Sequence, residues 1–174
     1  MKKIKLPLNE EEIKDLKAGD AVLVSGKVYT ARDAAHKRLH EMIQNHQELP
    51  IPLEGSAIYY VGPTPAKPPH PIGSAGPTTA SRMDAYTPEL LDLGLQVMIG
   101  KGKRNEAVKE AIIRNNAVYL ITCGGAGALI SHCITDARPV AFEDLLAEAI
   151  VELSVKDMPC FVGIDIRGND IYEE

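Results

Sequence analysis

Arg32, Thr78, Thr79, Arg82 and Lys101 are the residues whose types and surroundings point most directly to chemistry, and that chemistry is the binding of a small anion. Helical spacing of Ala31, Ala34, Ala35, Leu39, Met42 and Ile43 predicts a helix from about Ala31 to Asn45, with Thr30 and Asp33 forming a capping-box-like start. Arg32 then falls in the first turn, where the helix dipole disfavours a cation by ~0.3–1 kcal/mol. A guanidinium placed there makes sense if an anion binds to it and to the free amides together. The competing reading is a surface arginine paired with Asp33 or another carboxylate.

The segment Gly73 to Asp84 packs two glycines, four hydroxyls and Arg82 into twelve residues. Glycines let a backbone approach a ligand closely, and hydroxyls serve its oxygens. Arg82 lies four residues after Thr78, so one helical turn would put both on one side as a carboxylate cradle. Alternatively, Thr78 and Thr79 bond only local backbone. Lys101 stands between Gly100 and Gly102 directly after an apolar strand, where α/β proteins commonly bind ligands. A phosphate loop would need a glycine where Leu95 stands and a Ser or Thr after Lys101, so the nucleotide reading fails and a carboxylate partner or a solvated turn lysine remains.

Other motifs carry less. Gly124-Gly125-Ala126-Gly127 opens a helix as a dinucleotide loop would, but Ile130 replaces the third glycine, and tight strand-to-helix packing explains it better. His36 and His40 are one turn apart, yet Lys37 and Arg38 between them would repel a cation. Both lie off the apolar stripe and are expected to be solvated or at an interface. Cys123, Cys133 and Cys160 are widely spaced, odd in number and lack any Cys-x-x-Cys, which fits reduced core thiols rather than a disulfide framework. No metal set is expected from this chain.

A net charge of −5 over 174 residues argues against general nucleic-acid binding, although not against a local cationic pocket. No apolar run approaches the ~18 residues of a membrane span. The N-terminus lacks the apolar core of a signal peptide, so a cytoplasmic location is expected. One domain, residues 1–174, is the expectation from length.

The elements that must position these residues alternate. An edge strand is expected at Lys3 to Asn9, a helical turn at Glu10 to Leu16, and strands at Ala21 to Gly26 and Ala57 to Val61. An irregular stretch from Gly62 to Asp84 holds six prolines and three glycines, and a loop of that length is usually functional or disordered. A short helix capped by Thr87 should end at Gly94. It is followed by a strand at Leu95 to Ile99, a helix at Asn105 to Asn115, a strand at Ala117 to Thr122 and a short helix ending near Cys133. The last third reads as a helical turn at Glu143 to Leu146 and two strands, Ala149 to Val155 and Cys160 to Asp165. The class is α/β with a mixed sheet or two β layers.

Five runs, in order, resemble the β region of class I, iron–sulfur fumarases and of L-tartrate dehydratases: Lys27 to His36, Tyr60 to Pro65, Gly73 to Asp84, Met98 to Gly102 and Gly124 to Leu129. The resemblance implies a swivelling β/β/α domain and a hydro-lyase that adds water reversibly to fumarate. It implies a [4Fe–4S] cluster ligated by a partner α subunit and not by this chain, in an α2β2 assembly or around a β homodimer. It would make Arg32, Arg82 and Lys101 binders of substrate carboxylates, with Thr79 beside them. Thr78 would act at the reacting carbon, in catalysis. L-tartrate dehydratase and a non-catalytic dicarboxylate-binding domain are the alternatives.

Overall fold

The computed structural model describes residues 1–66, 68–122 and 127–173. Seven strands form one mixed sheet: β1 (Lys2–Lys5), β2 (Ala21–Thr30), β3 (Ala57–Tyr59), β4 (Val97–Gly100), β5 (Val118–Ile121), β6 (Ile134–Ala141) and β7 (Ile150–Ile164). Strands β1 to β5 pair in parallel in sequence order. β7 runs antiparallel to both β5 and β2, which closes β2-β3-β4-β5-β7 into a barrel-like ring, with β1 and β6 as appended strands.

Period-two alternation divides the core into two layers. Ala57 and Tyr59 of β3, Val97 and Ile99 of β4, and Val118 and Leu120 of β5 point into the ring with Val22, Val24, Val28, Leu153 and Val162. Their neighbours Ile58, Met98 and Tyr119 point outward with Tyr60, beneath a helical layer. That layer comprises α2 (Asp33–Gln44), α3 (Thr87–Asp92) and α4 (Glu106–Asn115), which contribute Ala35, Leu39, Leu90, Leu91, Val108, Ala111 and Ile112. Helices α1 (Glu10–Asp15) and α5 (Gly127–Ser131) complete the set. None of the described helices is long and apolar enough to cross a membrane.

Local chemistry accounts for most boundaries. Asn9 and Glu12 form a reciprocal capping box on α1, and the Asn105 side chain accepts from the Val108 N–H at the start of α4. At Gly26, φ is +124° and the Leu6 backbone lies where a Cβ would stand, so only glycine fits this register shift in β2. Two expectations are corrected here. Thr30 does not cap α2: it is the last residue of β2, its hydroxyl donating to the Ala149 carbonyl (3.1 Å) and accepting from the Val151 N–H (2.9 Å). Arg32 is the cap residue, with the helix running Asp33–Gln44. The two C-terminal strands are one, β7, continuous through Pro159, and β6 falls where no strand was expected.

Candidate functional site: a cationic cluster at three strand ends

Because β2, β3 and β4 are parallel neighbours, their carboxyl ends meet at one rim of the ring. Arg32 follows the end of β2, Tyr60 and Gly62 follow β3, and Lys101 follows β4. The Ala31 N–H donates to the Tyr59 carbonyl (3.1 Å), which ties the Arg32 backbone to β3. The Arg32 guanidinium lies against Gly62, where a Cβ would come within 2.8 Å of its Nη1. Among the described residues its Nε is buried with no hydrogen-bond partner, and so is Asp33 Oδ2, although buried polar groups are normally satisfied.

Asp33 stands between two arginines. Its Oδ1 accepts from Arg82 Nε at 3.0 Å, and its Oδ2 is 4.0 Å from Arg32 Nη2. The surface-pair reading of Arg32 is therefore partly realised, with Arg82 rather than Arg32 as the tighter partner. The expectation that free helix amides share the anion also needs revision: Glu148 Oε1 accepts from the Ala34 N–H (3.0 Å), so an internal carboxylate serves that turn of α2.

The segment carrying the threonines is pinned to both strand ends. The Thr78 N–H donates to the Tyr60 carbonyl (2.8 Å), Thr79 forms a parallel bridge with Lys101, and the Ala80 N–H donates to the Lys101 carbonyl (2.8 Å). A single 3₁₀ turn, Ala80–Met83, follows. Thr78 lies outside that turn, so the α-helical pairing of Thr78 with Arg82 is not formed, and the Arg82 N–H reaches back to the Thr79 carbonyl at 3.4 Å. Gly100 makes the close approach possible: a Cβ there would sit 2.6 Å from the Tyr60 ring and 3.3 Å from Ala80 Cβ. Among the described residues the Lys101 ammonium has no ion-pair partner, and the residue is half-buried. Arg32, Thr78, Thr79, Arg82 and Lys101 thus belong to one connected rim, three cations against the carboxylates of Asp33 and Glu148.

Three groups behind the rim escaped the sequence reading. His36 is fully buried, not solvated: its Nδ1 lies 2.8 Å from the Arg32 carbonyl, its ring meets Tyr60 edge-on, and its Nε2 has no partner. Burial, reinforced by the Arg104 charge and opposed by the bond to Arg32, lowers its pKa from 6.5 to about 4, so the ring is neutral. The sequence marks Asp33 as a cap or a surface partner, whereas it stands between two arginines. Arg104, buried beside Asp84, lies in the polar run Lys101 to Asn105, which carries no periodicity that would mark burial.

Gly127 packs against Ser74 and the Gly76 backbone, and its carbonyl accepts from the Ala75 N–H (3.2 Å). The packing reading of that glycine holds there, while Gly124, Gly125, Ala126 and Cys123 lie outside the described residues. Cys160 is a core residue of β7. The Cys133 thiol leans on the Leu129 and Asp157 carbonyls, both at 3.9 Å, and burial raises its pKa. Among the described residues no group of three or more His, Cys, Asp or Glu is arranged to hold a metal ion.

The fold is a mixed α/β barrel with helices over one face and a cationic rim at its parallel strand ends. The chain belongs to the family described as Fumarase C-terminus, which matches residues 1–174. It is 37% identical over 173 residues to a protein of Methanocaldococcus jannaschii assigned as L(+)-tartrate dehydratase subunit beta, covering 96% of this chain and 89% of that one. It is 37% identical over 154 residues to the anaerobic class I fumarate hydratase of Escherichia coli K12, covering 87% of this chain and 28% of that one. Fumarate hydratase 2 of Leishmania major is 34% identical over 179 residues, covering 98% and 31%. The chain therefore spans about a third or less of these fumarate hydratases and most of the tartrate dehydratase subunit.

Proposed function

We propose that this chain is the β subunit of an iron–sulfur hydro-lyase that hydrates fumarate reversibly to malate, working in the cytoplasm with an α subunit that carries the [4Fe–4S] cluster. The observation that carries the reading is the rim itself. Arg32, Arg82 and Lys101 outnumber the carboxylates of Asp33 and Glu148 at this end of the barrel, leaving it net positive and suited to a carboxylate substrate. Charge-assisted bonds from arginine to carboxylate are about twice as strong as neutral ones, and Arg32 Nε, without a partner among the described residues, would make one. The cluster is assigned to the partner, and the roles below use only side chains of this chain.

Arg32 and Arg82 would grip one carboxylate, and Lys101 would neutralise the other, with Thr79 beside it. Thr78, fixed through its amide to Tyr60, would present its hydroxyl at the carbon that gains or loses a proton. A threonine hydroxyl is a weak base and would need an ionised neighbour from the partner. L-tartrate dehydration is the second reading, favoured by the 89% coverage of the tartrate dehydratase subunit.

The test is reconstitution. Prepared anaerobically with its matching α chain, this protein is expected to give an oxygen-sensitive hydro-lyase, with fumarate and L-tartrate assayed side by side. Alone, it is expected to contain no iron and to turn over neither substrate. Hydration of fumarate by the lone, iron-free chain would overturn the shared-site reading.

A further inference from the structure

Directly beneath the rim, a deeply buried charge pair has no part in the roles above. The Arg104 side chain is 0% exposed and Asp84 8%. Arg104 Nε donates to Asp84 Oδ1 at 2.6 Å, and its Nη2 donates to the Tyr60 hydroxyl (3.1 Å) and to Thr87 Oγ1 (3.0 Å). The guanidinium is sandwiched between two rings, 5.1 Å from the Tyr60 centroid and 4.8 Å from the Tyr119 centroid. Asp84 uses its other oxygen to accept from the Asn105 N–H (2.9 Å), and the Thr87 hydroxyl donates to the Met83 carbonyl (2.8 Å). The Tyr119 hydroxyl donates to the Gly102 carbonyl (2.8 Å).

Burying two charges is costly, and replacing such a pair with apolar side chains is often neutral or stabilising. Stability alone is thus a weak reason to keep one here. Each partner instead ties to a piece of the rim. Asp84 lies two residues past Arg82, Thr87 holds the end of the 3₁₀ turn, Tyr60 carries the carbonyl that receives Thr78, and Arg104 lies three residues past Lys101.

We propose that Arg104 is a positioning residue for the dicarboxylate site: its guanidinium, shared among Asp84, Tyr60 and Thr87, fixes the segment from Thr78 to Met83 against the ends of β3 and β4, so that Thr78, Arg82 and Lys101 keep one geometry. The inference rests on the dicarboxylate reading for its purpose, but the clamp has its own readout. A lysine keeps the charge while losing the planar fork that reaches three partners.

In the full chain, Arg104→Lys is expected to speed amide hydrogen exchange at Thr78 and Ala80 at least ~10-fold, with amides of β4 and β5 unchanged. In the assembled enzyme it should raise KM for the dicarboxylate by a similar factor and lower kcat less. Tyr60→Phe, which removes one hydroxyl and keeps the ring, should move the same two amides in the same direction and serves if Arg104→Lys does not fold. Equal acceleration throughout the barrel, or none at Thr78 and Ala80, would reduce Arg104 to a stability residue and overturn the proposal. Loosened amides with an unchanged KM would also overturn it while leaving the dicarboxylate reading intact. A wild-type assembly that turns over no dicarboxylate would instead defeat that reading, with the exchange result standing apart.

Discussion

Asp33 gives the rim its asymmetry. By accepting from Arg82 Nε at 3.0 Å while standing 4.0 Å from Arg32, it orients one guanidinium and leaves Arg32 Nε unpaired. Asp33 engages Arg82 through its Nε rather than through its two terminal nitrogens. Arg82→Ala in the assembled enzyme is expected to lower kcat/KM by at least ~10²-fold, equivalent to about 3 kcal/mol of transition-state binding, with the fold retained. An unfolded variant would make Arg82 structural instead. His36 supplies a test from pH. Its folded pKa lies near 4, below the ordinary 6.5, so the unfolded chain binds the extra proton first as pH falls. Stability should therefore drop between pH 6.5 and 4, by up to roughly 3 kcal/mol from this residue. The stabilities of wild type and His36→Phe are expected to share one pH slope above and below that window, with the variant shallower within it. Equal slopes would remove His36 from the account.

At the level of elements, the site depends on how closely two loops can lie against strand ends. Gly62→Ala would press a methyl to within 2.8 Å of Arg32 Nη1 and 3.2 Å of the Ala147 carbonyl. The movable arginine head should yield, so thermal stability is expected to shift by less than about 1 kcal/mol while dicarboxylate affinity falls several-fold. A tighter-binding variant would contradict the placement of Arg32. The strands that alternate clearly, β3, β4 and β5, were legible in the sequence because each sends one apolar row inward and one under a helix. β2 read short because Gly26 looks like a stop and is a bulge. β7 read as two strands because Pro159 looks like a break. β6 left almost no signal: Ile134 is its one buried residue, and the rest of the strand is exposed or half-exposed. His36 looked solvated because it lies off the stripe of α2, yet Tyr60 and Tyr86 cover that side. The individual site residues could be read from local chemistry and resemblance. Their meeting in one pocket is implied by the resemblance, whereas its physical cause, the parallel order of β2, β3 and β4, is encoded by no local pattern.

For the molecule as a whole, ring closure turns separate loops into one rigid rim. β7 pairs with β2 on one side and β5 on the other, so the ends bearing Arg32 and Lys101 cannot drift apart without opening the barrel. Closure also leaves only two outer ladders. β1 is four residues long and presents Lys2, Lys3 and Lys5, while β6 carries Arg138, Pro139 and two register shifts. Short, charged or kinked margins of this kind discourage annealing of a foreign strand. Among the described residues, another polypeptide that joins this one meets margins that favour docking side chain to side chain, and the same margins disfavour stacking of copies into fibres.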